Sequence, residues 1–134
     1  AREPLQVTCT DGAAKLGVLT DLGHATAHVL EQLEGCQALV LECNHDADLL
    51  AASLYPPFLK QRVGGNYGHL ANSQAAGIAG AVLHSGLKHV VAAHLSQQNN
   101  LPELVKNSLA QAMSCIADDI IIATQNDGCA WLDL

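Results

Sequence analysis

The sequence predicts a single α/β domain, residues 1–134. Short apolar runs alternate along the chain with longer segments of helical spacing, a pattern typical of strands joined by helices. Hydrophobic residues make up 49% of the chain, enough to form the core of one domain. We find no internal repeat, low-complexity tract or interdomain linker.

Five strands are expected from the apolar runs. They are predicted at residues 5–10, 15–20, 37–43, 88–93 and 120–124, with residues 128–134 as an added edge strand. The dipeptide Asp11-Gly12 separates the first two runs and is a hairpin turn signal. The first pair is therefore expected to be a hairpin.

Helices are expected between the strands. They are predicted at residues 26–33, 46–54, 57–63, 72–85 and 101–116. Gly35 and Gly86 stand where two of them should stop, and Pro102 occupies the first turn of the last one.

The charge balance argues against broad binding to nucleic acid. The net charge is −7, from 13 acidic and 6 basic residues, whereas such binding leaves a basic footprint. A phosphodiester substrate remains open, because bound metal ions can supply positive charge. Five cysteines without a C-x-x-C spacing argue against a zinc ribbon or a disulfide framework. Without a signal peptide or an apolar run near 18 residues, we expect a cytoplasmic protein with no membrane partner.

Two polar residues at strand ends are candidate metal ligands. Asp21 follows the apolar run 16–19, and His94 ends the run V-V-A-A-H. In α/β folds such positions gather at one edge of the sheet. On the residues alone, a turn or helix-capping aspartate is the commoner explanation of Asp21, and a lone strand-end histidine is more often not a ligand. The pair is therefore plausible but incomplete.

Five ordered motifs extend this interpretation. They are T-D-L-G at residues 20–23, L-E-C-N-H-D at 41–46, Y-P-x-x-L-K at 55–60, G-H-L-A-N at 68–72 and H-L-S-Q-Q-N-N at 94–100. The chain resembles the C-terminal half of metallo-β-lactamase-fold hydrolases, in particular YycJ/WalJ-like phosphodiesterases, which are relatives of ribonuclease Z. The resemblance covers most of the chain. It implies the C-terminal half of an αββα sandwich, with a mixed sheet and helices on one face.

The resemblance also implies roles for four residues. Asp21 would bridge two divalent ions, zinc or manganese, and His94 would complete the second metal site. His69 would protonate the leaving oxygen, and Glu42 would orient His69. Without the resemblance, His69 could equally be a helix-entry residue and Glu42 a helix-capping carboxylate.

Further residues are candidates for contact with substrate. His24 lies three residues beyond Asp21, and His45 and Asn72 belong to the quoted motifs. Lys60 offers positive charge near a glycine-rich loop. We predict substrate contacts for these four residues.

One departure from the family is large. An H-x-H-x-D-H string, which supplies most metal ligands in such hydrolases, does not occur. We expect a missing N-terminal half, or a homodimer partner, to cover the second sheet face, and little activity from these residues alone. The expected function is two-metal phosphodiester hydrolysis, at nucleic-acid ends or of a cyclic phosphodiester. A non-catalytic binding or assembly module, or a thioester or lactone hydrolase of the same fold, is the alternative.

Overall fold

A five-stranded mixed sheet forms the centre of the protein. The computed structural model describes residues 3–134. The strands are β1 (Val7–Thr10), β2 (Lys15–Leu19), β3 (Ala38–Glu42), β4 (His89–Ala93) and β5 (Ile121–Ile122). They lie in sequence order across the sheet; β1 pairs antiparallel with β2, and all other pairs are parallel. The predicted α/β class with a mixed sheet is confirmed.

Five helices connect or flank these strands. They are α1 (Ala27–Leu33), α2 (Ala47–Ala52), α3 (Pro57–Gly64), α4 (Asn72–Ala81) and α5 (Pro102–Met113). The Thr26 hydroxyl begins α1 by accepting the Val29 N–H, and the Asp46 carboxylate begins α2 by accepting two backbone N–H groups. None of the helices within residues 3–134 has the length and apolarity needed to cross a membrane.

Two predictions about the elements are wrong. Residues 128–134 form no strand, because the chain after β5 closes on itself through reciprocal backbone hydrogen bonds between Thr124 and Gly128. Helix α4 ends at Ala81, not near residue 85. There the His84 ring turns away to the Cys36 carbonyl oxygen, 2.6 Å distant, and accepts the Gly86 N–H.

The two faces of the sheet differ. Along each strand alternate side chains point to opposite faces, and Leu19, Leu41 and Ala92 lie in the core that the helices cover. Val18, Val40 and Val91 pair in register on the opposite face and are not part of that core. Val18 and Val40 stay only half-buried although β2 and β3 are central strands. This second face is apolar and incompletely covered.

Candidate metal centre

Three parallel strands bring polar side chains to one edge of the sheet. Glu42 is the last residue of β3, Asp21 follows β2 by two residues, and His94 directly follows β4. Since the carboxyl ends of parallel strands meet at one edge, these positions converge. His69 reaches the same place from the loop before α4.

The backbone is strained at two of these positions. Asp21 and His94 both adopt φ of 57°, in the left-handed region that residues other than glycine rarely enter. Such conformations cost free energy and cluster at functional sites. The His94 carbonyl oxygen also accepts a hydrogen bond from Asn44 Nδ2 at 3.1 Å, so the turn that directs His94 is fixed from outside.

Glu42 organises both histidines. Its side chain is fully buried, and its Oε1 accepts from His69 Nδ1 at 2.8 Å and from His94 Nδ1 at 2.7 Å. Its Oε2 accepts the backbone N–H groups of Leu22 and Leu70, each at 3.3 Å. Four donors and no acceptor match an ionised carboxylate. Because both Nδ1 atoms donate to Glu42, each ring keeps Nε2 for another partner.

Asp21 completes the cluster on its exposed side. Its Oδ1 lies 3.5 Å from His69 Nδ1 and 3.9 Å from His94 Nδ1, and its side chain is 55% exposed. Ligand atoms from the four residues Asp21, Glu42, His69 and His94 lie within 4.8 Å of one another. Carboxylate and imidazole are ligands that suit borderline divalent ions. Buried Glu42 corresponds to the outer carboxylate that commonly orients a ligating histidine, so the set fits a divalent metal.

Close backbone contacts place the His69 loop. A side chain at Gly68 would put its Cβ 2.1 Å from the Val63 carbonyl oxygen. With glycine there, the loop lies against the end of α3, and the His69 N–H donates to Val63 O at 2.9 Å. The His69 ring is thereby directed to Glu42.

The four predicted substrate contacts are not gathered in this way. His24 Nδ1 lies 3.1 Å from the Asn66 carbonyl oxygen, and Lys60 Nζ donates to the carbonyl oxygen of Ala51. Asn72 is buried and makes reciprocal amide hydrogen bonds with Asn100 at 2.8 and 2.9 Å, which favours a structural role. His45 pairs with Ala71 in a short parallel bridge beside the His69 loop.

Two asparagines behind the cluster hold its backbone in place, and the sequence did not predict a role for either. Asn44 fixes the His94 carbonyl, and Asn100 Nδ2 donates to the Cys43 carbonyl oxygen at 2.8 Å. Both residues are buried. Each stands inside one of the motifs quoted above, and that was the only signal that could have found them.

Burial shifts the pKa values of two residues near Glu42. The pKa of the His45 imidazole is lowered, first by burial and then by the charge of His69. The pKa of the Cys43 thiol is raised to about 12, first by burial and then by the Glu42 charge. His45 is therefore neutral near pH 7, and Cys43 is an unreactive thiol.

A cavity of about 780 Å³ opens beside Asp21 and His94. Its polar lining is mainly amide and hydroxyl groups, among them Ser96, Gln97 and Gln125, and no lysine or arginine of the described chain lines it. The cavity offers hydrogen bonds next to the cluster without adding positive charge.

The chain is similar to two curated bacterial proteins. It is 34% identical over 113 residues to exodeoxyribonuclease YycJ of Bacillus anthracis, a match that covers 84% of this chain and 43% of that protein. It is 34% identical over 99 residues to exodeoxyribonuclease WalJ of Streptococcus pneumoniae serotype 2, covering 71% of this chain and 37% of that protein. The chain thus spans less than half the length of these relatives. No known family profile matches the sequence.

Solved structures show the same fold. The metallo-β-lactamase-fold protein YhfI from Bacillus subtilis superposes with a TM-score of 0.67 at 20% identity, over 94% of this chain and 43% of that one. A diphosphatase from the PhnP family superposes with a TM-score of 0.53 at 18% identity, over 97% of this chain and 43% of that one. These similarities confirm the resemblance and the metallo-β-lactamase fold. That fold implies a divalent metal, and the four-residue cluster can hold one.

Proposed function

We propose that this chain supplies part of a divalent-metal-dependent phosphodiesterase centre, with Asp21 and His94 as metal ligands. The observation that carries the proposal is the single buried oxygen, Glu42 Oε1, that orients two histidines beside an exposed aspartate. We further propose that the complete centre holds two ions, zinc or manganese, with additional ligands from outside this chain.

The environment of each residue suggests its role in the reaction. Bound divalent ions would polarise the phosphate and activate water for attack. Asp21 and His94 have the strained, strand-end backbone that fixes a ligand in place. His69 enters from a loop, and its Nε2 is the ring nitrogen left for a substrate.

His69 serves as the proton donor. In its doubly protonated form the ring keeps Nδ1–H on Glu42 and can give its Nε2 proton to the leaving oxygen. The Glu42 carboxylate lies 2.8 Å from the ring and balances its positive charge during this step. Glu42 therefore acts as a positioning residue for His69, and for His94 as well.

We propose a substrate with a DNA end. Both curated relatives are named exodeoxyribonucleases. The net charge of −7 disfavours extended contact with a polyanion by this chain, whereas a terminal phosphodiester needs only the metal centre and a few neighbouring groups. The apolar second face, with half-buried Val18 and Val40, supports the described sheet as one half of a two-sheet sandwich whose other half covers this face.

The test is hydrolysis by the full-length protein that carries this chain. With manganese or zinc it should hydrolyse bis(p-nitrophenyl) phosphate and shorten an end-labelled DNA oligonucleotide. Asp21→Ala and His94→Ala should each lower both activities about 100-fold or more. Even the loss of a residue that only hydrogen-bonds a metal ligand typically lowers metal affinity or activity about 10–100-fold. His28→Ala, on the exposed side of α1, is the matched control. Unchanged activity in Asp21→Ala and His94→Ala would refute the proposed centre.

A further inference from the structure

A second concave region lies on the His69 side of the cluster. It is a groove of about 720 Å³ between α2, α3 and the start of α4. Its walls are largely apolar, from Ala47, Leu50, Ala51 and Pro57, and one wall is the backbone of Gly64. A groove with largely apolar walls and a few polar groups suits a ligand of similar polarity, such as an aromatic ring that carries hydrogen-bonding groups.

One polar side chain that is otherwise buried borders this groove. His45 lines it and is only 3% exposed. Its Nε2 lies 4.0 Å from the position that a Cβ on Gly64 would take. No hydrogen bond of Nε2 occurs within residues 3–134, whereas Nδ1 lies 3.4 Å from Asn44 Oδ1. Nε2 is therefore available to a group that enters the groove.

The hydrogen bonds decide what Nε2 can bind. The His94 carbonyl oxygen only accepts, so the Asn44 group bound to it is the amide donor Nδ2. Asn44 Oδ1 therefore faces His45 Nδ1 and accepts its proton. In the neutral ring, Nε2 is then an acceptor. The groove thus presents a lone pair and calls for an N–H or O–H group, not a phosphate.

The groove lies next to the proton donor of the proposed reaction. His45 and Ala71 form a parallel bridge, and the Asn44 N–H donates to Leu70 O at 3.0 Å, so the two chain segments run side by side. His69 directly precedes Leu70, and its charge acts on the His45 imidazole. A group bonded to the leaving oxygen beside His69 is therefore close to the groove.

We propose that this groove binds the nucleobase on the leaving side of the scissile phosphate, and that His45 Nε2 accepts a hydrogen bond from the base. The inference rests on the proposed function for the position of the phosphate. Lys60, the cation of the groove, is bonded to the Ala51 carbonyl oxygen, which favours a base over a phosphate there. Every DNA base carries an N–H donor, so the groove accepts bases generally.

The probes are deoxyadenosine monophosphate, purine deoxyriboside monophosphate, which lacks the amino donor, and deoxyribose phosphate, which lacks the base. Each is titrated into isotope-labelled protein while the backbone amide resonances of Gly64 and Gly65 are followed. Deoxyadenosine monophosphate should shift these amides and bind about tenfold more tightly than the purine analogue, the usual scale of one buried hydrogen bond. Deoxyribose phosphate should leave these amides unshifted.

Two variants test the groove independently. His45→Phe keeps a ring but removes the acceptor, and it should bind deoxyadenosine monophosphate and the purine analogue equally. Ala51→Trp fills the groove from an exposed helix position and should abolish the Gly64 shifts, which keeps the test open if His45→Phe fails to fold. His28→Phe, exposed on α1, is the control and should bind as the unchanged protein does.

The outcomes separate the groove from the metal centre. Equal binding of both nucleotides by the unchanged protein, or undiminished binding by Ala51→Trp, would overturn the inference. The full-length protein could instead bind deoxyadenosine monophosphate in the groove as described but show no metal-dependent hydrolysis. That result would refute the proposed function and support the base site.

Discussion

His69 and His94 share one hydrogen-bond acceptor but are fixed by different parts of the chain. Both donate through Nδ1 to Glu42 Oε1, at nearly equal distances, and their rings meet edge to face with centroids 5.3 Å apart. His94 sits in a left-handed turn at the end of β4, with its carbonyl oxygen held by Asn44. His69 sits in the loop between Gly68 and α4.

The difference shows that the side-chain partner alone does not assign a role. An identical bond to Glu42 prepares Nε2 of either ring for a metal or for a substrate. The surroundings distinguish them. His94 faces the amide-lined cavity together with Asp21, and His69 belongs to the segment that runs beside the His45 groove. The comparison predicts that a change at Glu42 affects both histidines. Loss of the His94 ring should act first on metal binding, whereas loss of the His69 ring should act on turnover.

The largest effect is expected from Glu42→Gln. The Glu42 carboxylate accepts two pairs of donors: the histidine Nδ1–H groups at one oxygen and the Leu22 and Leu70 N–H groups at the other. Glutamine has only one acceptor oxygen, so one of these pairs would face its N–H₂ group. Each unsatisfied buried donor costs about 1–3 kcal/mol, which predicts a loss of roughly 3 kcal/mol in the free energy of unfolding. Metal binding should weaken about 10–100-fold. Chemical denaturation and metal titration measure the two losses.

The control for this change is Glu31→Gln on exposed α1. It makes the same chemical change where the side chain is solvated, and it should leave both quantities unaltered. If Glu42→Gln keeps its stability and its metal affinity, the buried carboxylate does not organise the cluster.

The comparison is sharpened by removing one ring at a time. His94→Ala should weaken metal binding by the full-length protein about 100-fold or more, because a ligand matters at least as much as its outer partner. His69→Ala should keep most of the metal affinity but lower turnover about 100-fold, a typical contribution of general acid catalysis. Metal affinity is measured by competition with a chelating dye, and turnover at saturating metal. Equal losses of metal in the two variants would contradict the division of roles.

The strand-end residues illustrate what sequence could predict. Asp21 and His94 follow apolar runs that were predicted to be strands, and the carboxyl ends of such strands in α/β folds gather at one sheet edge. The short strands and the turn at Asp11-Gly12 were equally local signals. These features depend on residues close in sequence, which is why pattern alone indicates them.

The remaining features depend on contacts between distant segments. Glu42 was expected to orient His69, but its second bond to His94 joins residues 52 positions apart. The reciprocal pair of Asn72 and Asn100 spans 28 positions. The early end of α4 is accompanied by a hydrogen bond from His84 to Cys36, 48 positions away. No local pattern encodes such pairings, so burial and register in the folded chain were needed to find them.

The smallest expected effect is the contribution of His45, which lies in the segment beside His69, to the pH dependence of stability. Burial, reinforced by the His69 charge and opposed by Glu42 and Asp46, lowers its folded pKa below the ordinary value of 6.5. Below pH 6.5 the unfolded chain therefore takes up a proton that the folded protein excludes. His45 thus lowers stability as pH falls from 6.5 to its folded pKa, by at most about 1.4 kcal/mol per pH unit.

His45→Gln removes this titration and should flatten that part of the pH dependence. Urea denaturation of both proteins between pH 4.5 and pH 8, about two units below and one and a half above the ordinary histidine pKa, measures the difference. Above pH 7 the gap between the two free energies of unfolding should be constant, because His45 is then neutral in both states, and this plateau is the internal control. Below 6.5 the gap should shift in favour of His45→Gln, since only the unchanged protein must exclude the proton. A gap that stays constant down to pH 4.5 would show that His45 titrates alike in both states. The assignment of Nε2 as a hydrogen-bond acceptor requires a neutral ring, and burial of His45 would then no longer support that neutral form.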